Sequence, residues 1–559
     1  MLVCMKNNIL RSEIKSEWGI LALTFLFAFI LRQVLYIRLF PDSIQYLTFA
    51  RNILSGIHHT GDISLLRYKW SPLYPHLVAL FSFGNFEPAF LAEVARQVSI
   101  LTGCLLIFPI YFLTRNIFGK TAASMSALLV ILTPEFIYYS SAVLTESLSI
   151  LFVALSMLVL YVTTENKFSP LLCLILGLFL GLAFLSRHAT IGYLFIALLW
   201  CFSSWILKRR TKNSSDSFKT ITIAGFLVLL GFFLVISPQI FYLHSKTGKW
   251  ALVIDPSTDP FKRLSIAGED QRYTKEYESR YEGLTRNTEN FFWEVEKPPG
   301  LLTTAVKYPV PFFKAYIKTV VKGYLPDTYP LPYPLIVLLF TAAGIIALII
   351  TRRFKIFFFF LWFFGGYYFF LALFHNMRDR YMFLAYPVIL IVAGGGASAV
   401  ARLVPKLFKN PQTSRKAGWA ASTAIIGLCV ALLIPASVGL IKKQNAMANI
   451  DLFMRLGNDL SQRIQKNALI FDRTPHLAYF AGGIATSVPY SSIENVIKFG
   501  RNRGVRYWIV SSGYVPWLRP QFKTLLKPSH KYEGLRTVAA YMSGKYHVIV
   551  YEILAEKGS

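Results

Sequence analysis

The sequence predicts an α-helical polytopic membrane fold with a small C-terminal α/β domain, and three observations predict it. Of 559 residues, 54% are hydrophobic and only 16% charged, with mean hydropathy +0.47, far from a soluble globular composition. Apolar runs of roughly 18 to 25 residues, the helix length that crosses about 30 Å of hydrocarbon, recur through the first three quarters. The last segment then alternates strand and helix patterns, as a small α/β domain with parallel pairing does.

The apolar runs number about eleven, at 18–37, 90–113, 122–139, 142–162, 170–185, 190–207, 221–243, 332–350, 356–374, 381–400 and 418–441. The first is a retained span and not a cleaved signal. It has full span length and leads through Arg32 and Arg38 into an aromatic segment with no small-residue cleavage site. The domain division follows: 1–441 as the membrane domain, with outward loops at 38–88 and 244–331, and 442–559 as a soluble α/β domain.

The net charge of +29 raises nucleic acid as a partner in a soluble protein. In a membrane protein the positive-inside rule accounts for it instead, so no nucleic-acid partner is expected. With Lys6, Arg11 and Lys15 cytoplasmic, each inside loop is basic: Arg115 and Lys120, Lys167, "KRRTKNSSDSFK", "RRFK" and "ARLVPKLFKNPQTSRK". An odd span count then places the tail outside the cytoplasm. Four of the five cysteines, Cys104, Cys173, Cys201 and Cys429, lie in spans, and Cys4 precedes the first. They imply neither a disulfide framework nor a cysteine zinc site.

In the tail, a helix around Ile450 to Ile464 precedes the strand "NALIFD", the amphipathic helix "SSIENVIKFGRNRG", the strand "VRYWIVSS" and a helix near Gln521 to Leu526. Two strands joined by a Gly-Lys turn close the chain. No glycine-rich phosphate loop, nucleotide fingerprint or repeat is present, so no nucleotide cofactor is expected.

Charges on the outward side carry the functional signal, because topology selection works against them. "SRHAT" holds Arg187 and His188 between the fifth and sixth runs, and "FHNMRDRY" holds His375, Arg378, Asp379 and Arg380 between the ninth and tenth. Each reads either as a snorkelling interfacial cation or as a site residue. Asp42, after Pro41, reads as an N-cap or a functional acid. Glu146, in "SSAVLTESLSI", reads as a first-turn residue favoured by the helix dipole or as a second acid. Arg67 and Lys69 in "RYKWSPLYPHL" read as an aromatic, basic interfacial belt or as further cations. Two carboxylates and five or six cations on one membrane face suit a phosphate held at the lipid surface, with an acid available as base.

These motifs resemble the GT-C glycosyltransferases, specifically the bacterial relatives of protein O-mannosyltransferases and of the lipid A aminoarabinose transferase (glycosyltransferase family 39-like). "PDSIQYLTFARNILSG" is similar to the family's first-loop motif, in which an Asp precedes a Tyr by four residues, matching Asp42 and Tyr46. Many members have a second acid after the first, where this chain has Ser43. "SPLYPHL", "TES", "GLAFLSRHATIGYLF" and "RDRYMFLAYPVILIVAG" resemble later family segments in order. The resemblance implies an inverting enzyme that moves a sugar, a hexose or pentose, from a polyprenyl-phosphate donor to an acceptor hydroxyl on a protein, lipid or glycan. It implies Asp42 as base and Glu146 as the second acidic position. Tyr46 would be a substrate contact, and Arg67, Lys69, Arg187, His188, Arg378 and Arg380 would hold the donor phosphate. Some relatives bind a divalent cation near the acids. A multi-pass protein of the bacterial inner membrane is implied, with active site and tail domain extracytoplasmic. A transporter or flippase of a lipid-linked or polyanionic envelope substrate is the alternative. It calls for charged or broken spans near the midplane and a repeat between halves, and the sequence carries neither.

Overall fold

The computed structural model describes residues 2–35, 39–56, 71–165, 168–210, 218–253, 300–322, 334–373, 379–408, 410–446, 450–473, 475–527, 531–543 and 546–555. Every apolar run of the sequence coincides with a helix. Among the described residues, eight helices are long and apolar enough to cross a membrane, from Glu17–Val34 to Gln412–Lys442. The run at 122–139 is a bent pair, Lys120–Leu132 and Pro134–Ser141, and the runs at 170–185 and 332–350 are the shorter apolar helices Pro170–Ser186 and Leu335–Ile350. Helices are the natural solution here, since lipid offers no partner for a free backbone amide or carbonyl.

The 56° bend has a local cause. Pro134 has no N–H, so the carbonyl of Val130, four residues earlier, loses its helical donor. Arg32, fully buried, supplies one: its Nη2 donates to Val130 O at 3.1 Å and its Nε to Ser140 Oγ at 2.6 Å. Close packing elsewhere rests on small residues. A Cβ on Gly396 would collide with the Phe340 carbonyl on helix Leu335–Ile350.

The two ends of the bundle differ in chemistry. At one end Glu17 pairs with Arg115 and Lys120 at 3.1 Å each, Arg353 donates to Ile117 O at 2.6 Å and Lys355 pairs with Glu165 at 2.8 Å. These are the basic loops expected on a single side. The opposite end gathers Asp42, Glu146, Arg187 and Arg380.

The tail holds a five-stranded sheet: β1 (Leu469–Phe471), β2 (Ile484–Thr486), β3 (Val505–Ser511), β4 (Leu535–Ser543) and β5 (Tyr546–Ile553), in the order β2-β1-β3-β5-β4. β1 pairs in parallel with β2 and β3, and β5 runs antiparallel to β3 and β4, so the parallel pairing expected covers half of a mixed sheet. The amphipathic helix spans Ile493–Asn502, capped by Ser492, whose Oγ accepts from Asn495 N at 3.3 Å. Gly504 follows at φ +69°, the left-handed conformation glycine adopts freely. The expected helix at 521–526 is the 3₁₀ segment Pro520–Leu526, and the Gly-Lys turn lies outside the described residues.

Candidate active site

The site starts at helix Pro41–Leu54. Phe40 is its N-cap and Pro41 its first residue, a position where proline's fixed φ suits the helix and its missing N–H costs nothing. Asp42 is therefore not the N-cap, as the sequence allowed, but lies inside the first turn. The side chain that serves the helix start is Ser43, whose Oγ accepts the Phe40 amide at 2.9 Å. The Asp42 carboxylate is left for another partner, and that partner is Arg380. Its Nη1 pairs with Asp42 Oδ2, and the two side chains are 28% and 31% exposed, open enough for a ligand to reach.

Glu146 forms a second pair. It begins helix Glu146–Glu165, as expected for a first-turn acid, but it is only 1% exposed and lies 2.5 Å from Arg187 Nη1. Neither carboxylate oxygen makes a well-aligned hydrogen bond among the described residues, so the contact is chiefly ionic. Arg187 caps helix Pro170–Ser186 in extended conformation, φ −159° and ψ 115°, where the chain breaks before the next span.

Tyr381 joins the two pairs. The Arg187 guanidinium lies 4.6 Å from its ring centroid and that of Arg380 5.6 Å, within cation–π range. Thr145 Oγ1 lies 3.5 Å from both Arg187 Nη1 and Tyr46 OH. Tyr46 is buried, and burial together with the Glu146 and Asp42 carboxylates pushes its phenol well above the ordinary range, so it stays a protonated donor. Its ring packs edge-on against Tyr74 at 5.6 Å, whose hydroxyl donates to Ala95 O at 2.7 Å.

The structure thus brings together Asp42, Tyr46, Glu146, Arg187 and Arg380. His188 stands apart: its ring packs on Phe184 at 5.1 Å, and among the described residues it meets neither carboxylate. Arg67, Lys69 and Arg378 lie outside the described residues. Tyr381 and Thr145 were not singled out in the sequence, although Tyr381 directly follows Arg380 and Thr145 opens "TES".

A divalent cation does not fit the described residues by themselves. Each acid already faces an arginine, Ser43 replaces a possible second acid, and no group of three or more His, Cys, Asp or Glu gathers among them.

The comparisons with known proteins concern the fold. Residues 75–242 match the family model for dolichyl-phosphate-mannose-protein mannosyltransferase, a stretch that holds Glu146 and Arg187 but not Asp42 or Arg380. ArnT from Cupriavidus metallidurans, solved bound to undecaprenyl phosphate, superposes with TM-score 0.54 at 11% identity, over 97% of this chain and 98% of that one. The oligosaccharyltransferase AglB from Archaeoglobus fulgidus, solved with an inhibitory peptide and dolichol-phosphate, gives TM-score 0.56 at 14% identity, over 89% of this chain and 69% of that one. The chain has the GT-C fold of membrane glycosyltransferases. The expected fold class is therefore borne out. No curated protein matches in sequence. Within this GT-C chain, the paired acids and arginines occupy the ends of spans and the first turn of the first-loop helix.

Proposed function

We propose that this GT-C protein transfers a sugar from a polyprenyl-phosphate carrier to an acceptor hydroxyl at the extracytoplasmic membrane surface, with inversion at the sugar carbon. The observation that carries the reading is the gathering of the Asp42–Arg380 and Glu146–Arg187 pairs around Tyr381. ArnT and AglB, solved with lipid phosphates, support the donor class. The bacterial inner membrane and a protein, lipid or glycan acceptor belong to the same proposal.

Asp42 takes the acceptor's hydroxyl proton as the oxygen attacks the anomeric carbon. The bond from that carbon to the phosphate oxygen breaks, its electron pair stays on the phosphate, and polyprenyl phosphate leaves. In the pair as it stands, Arg380 neutralises Asp42. A donor phosphate competes for Arg380 through charge-assisted hydrogen bonds and so frees the Asp42 carboxylate once donor is present. Glu146, too buried to meet an acceptor, acts as a positioning residue that holds Arg187 in place beside Tyr381. Arg187 is the second cation for the phosphate, with Arg67, Lys69 and Arg378 as further candidates; His188, packed on Phe184, drops out. Tyr46 donates from its protonated hydroxyl.

The test reconstitutes the full chain in liposomes with synthetic polyprenyl-phosphate-linked hexoses and pentoses and follows release of polyprenyl phosphate. Mass spectrometry of envelope glycolipids and glycoproteins with and without the gene identifies the sugar lost. No lost unit and no release from any donor would overturn the reading.

A further inference from the structure

Helices Leu301–Lys307 and Pro309–Lys322 present their apolar residues on the wrong side for a water-exposed helix. Leu302, Val306, Val310, Phe313, Ile317 and Val321 follow one another at spacings of three or four, the period of one helix face, and all are exposed, up to 81% at Val306. The face turned into the protein carries Thr304 and Thr319, both buried. Their hydroxyls bond their own helix, to Gly300 O and Ala315 O at 2.9 Å each. In water this stripe would be an unpartnered apolar patch.

Charge completes the pattern. Lys307, Lys314, Lys318 and Lys322 each follow a stripe residue by one position, about 100° around the helix, where a long side chain reaches over an apolar surface to a polar one. Lys307, Lys314 and Lys318 are exposed, and residues 300–322 contain no Asp or Glu. The helix is also fastened to the bundle, since Tyr368 OH donates to Val320 O. Tyr368 lies in helix Tyr367–Leu373, which closes the span Phe354–Leu373, and Arg380 opens the next span. The stripe therefore sits beside the membrane at the end that carries the Asp42–Arg380 pair.

We infer that residues 301–322 form an interfacial binding surface for anionic phospholipid: the stripe enters the acyl region of the leaflet and the four lysines hold phosphate headgroups. A leaflet meets both halves of the pattern, as basic amphipathic helices do. The inference goes beyond the proposed sugar transfer, and neither readout of its test involves that reaction.

The full-length chain is placed in nanodiscs of phosphatidylcholine with or without phosphatidylglycerol. A nitroxide on Ile317→Cys reports depth from its relative accessibility to oxygen and to a water-soluble nickel chelate. Native mass spectrometry reports which lipids the protein retains, in the parent and in K307Q/K314Q/K318Q/K322Q. We expect the nitroxide to lie in the acyl region. We also expect phosphatidylglycerol to be retained over phosphatidylcholine by at least about tenfold in the parent and with little preference in the glutamine variant. Replacing the four lysines by arginine keeps the preference. A nitroxide in water overturns the inference, as does an equal preference in parent and glutamine variant, or none in the parent. If the glutamine variant fails to fold, the nitroxide depth and the parent's lipid preference still decide.

Discussion

Arg51 donates from Nη2 to the carbonyl oxygen of Gly483 at 2.9 Å while its guanidinium lies 5.5 Å from the centroid of the Tyr479 ring. Arg51 lies in the last turn of the helix whose first turn holds Asp42, and Gly483 precedes β2 of the tail sheet. The start of the same helix is held as well: His476 Nε2 meets the carbonyl of Leu39 at 3.1 Å, an oxygen just outside the helix. Tyr479 and Phe480 share one buried cluster with Ile44, Tyr46 and Leu47. The tail thus grips both ends of the helix that presents the acid.

Replacing Arg51 by Met should loosen this grip. The change removes a charged hydrogen bond from a buried site, a loss of about 1.5–3 kcal/mol, and leaves the Gly483 carbonyl without its donor. Hydrogen exchange should rise in 41–54 and 476–486 together. Parental exchange in 41–54 would mean that the tail docks without holding the acid-bearing helix.

What the sequence reveals and what it hides divides along physical lines. Span positions are legible because bilayer thickness dictates their length, so each run has its helix. Asp42, Glu146, Arg187 and Arg380 are legible because charge beside a span is costly enough to be conspicuous. Their pairing is not, since Asp42 and Arg380 stand 338 positions apart and no local pattern joins them. The N-cap reading of Asp42 fails because Pro41 takes the first helical position. β2 escapes notice at three residues, too short for alternation to show. Arg51 reads locally as the polar residue of an amphipathic helix, and only the docked tail gives it a role.

The buried Glu146–Arg187 pair should behave unlike a surface ion pair. Replacing Glu146 by Gln leaves Arg187 charged and buried without its partner, a change that typically costs about 3–5 kcal/mol. The double variant Glu146→Gln/Arg187→Met removes both charges and should recover part of that loss. Apparent unfolding temperatures in one detergent should place the single variant lowest. Additive losses in the double variant would mean that the two side chains are not coupled in the folded protein.

Sidedness follows from the charges at the two ends of the bundle. The end holding Arg115, Lys120, Arg353 and Lys355 should face the cytoplasm, which sends the tail and the Asp42 site to the other side. A fluorescent reporter that matures only in the cytoplasm, fused after Ser559, should stay dark, and the same reporter inserted within 211–217 should light up. The reverse pattern would turn the protein over and move the site to the cytoplasmic face.

Asp42→Asn separates two roles for the acid. As a partner for Arg380 alone, Asp42 lies in a partly exposed pair, an interaction worth about 0–1 kcal/mol. Its loss should leave insertion and folding almost unchanged. As the base, it must accept the acceptor's proton, which an amide does not do, and general-base catalysis contributes about a hundredfold to ten-thousandfold. The Asn variant should therefore purify like the parent and lose at least about a hundredfold in sugar transfer. Arg380→Gln should differ in kind: it leaves the carboxylate free but weakens capture of the donor phosphate, raising the KM for donor more than it lowers kcat. If Asp42→Asn and Arg380→Gln instead raise the donor KM alike and leave kcat intact, Asp42 serves only to orient the arginine, and another group removes the proton.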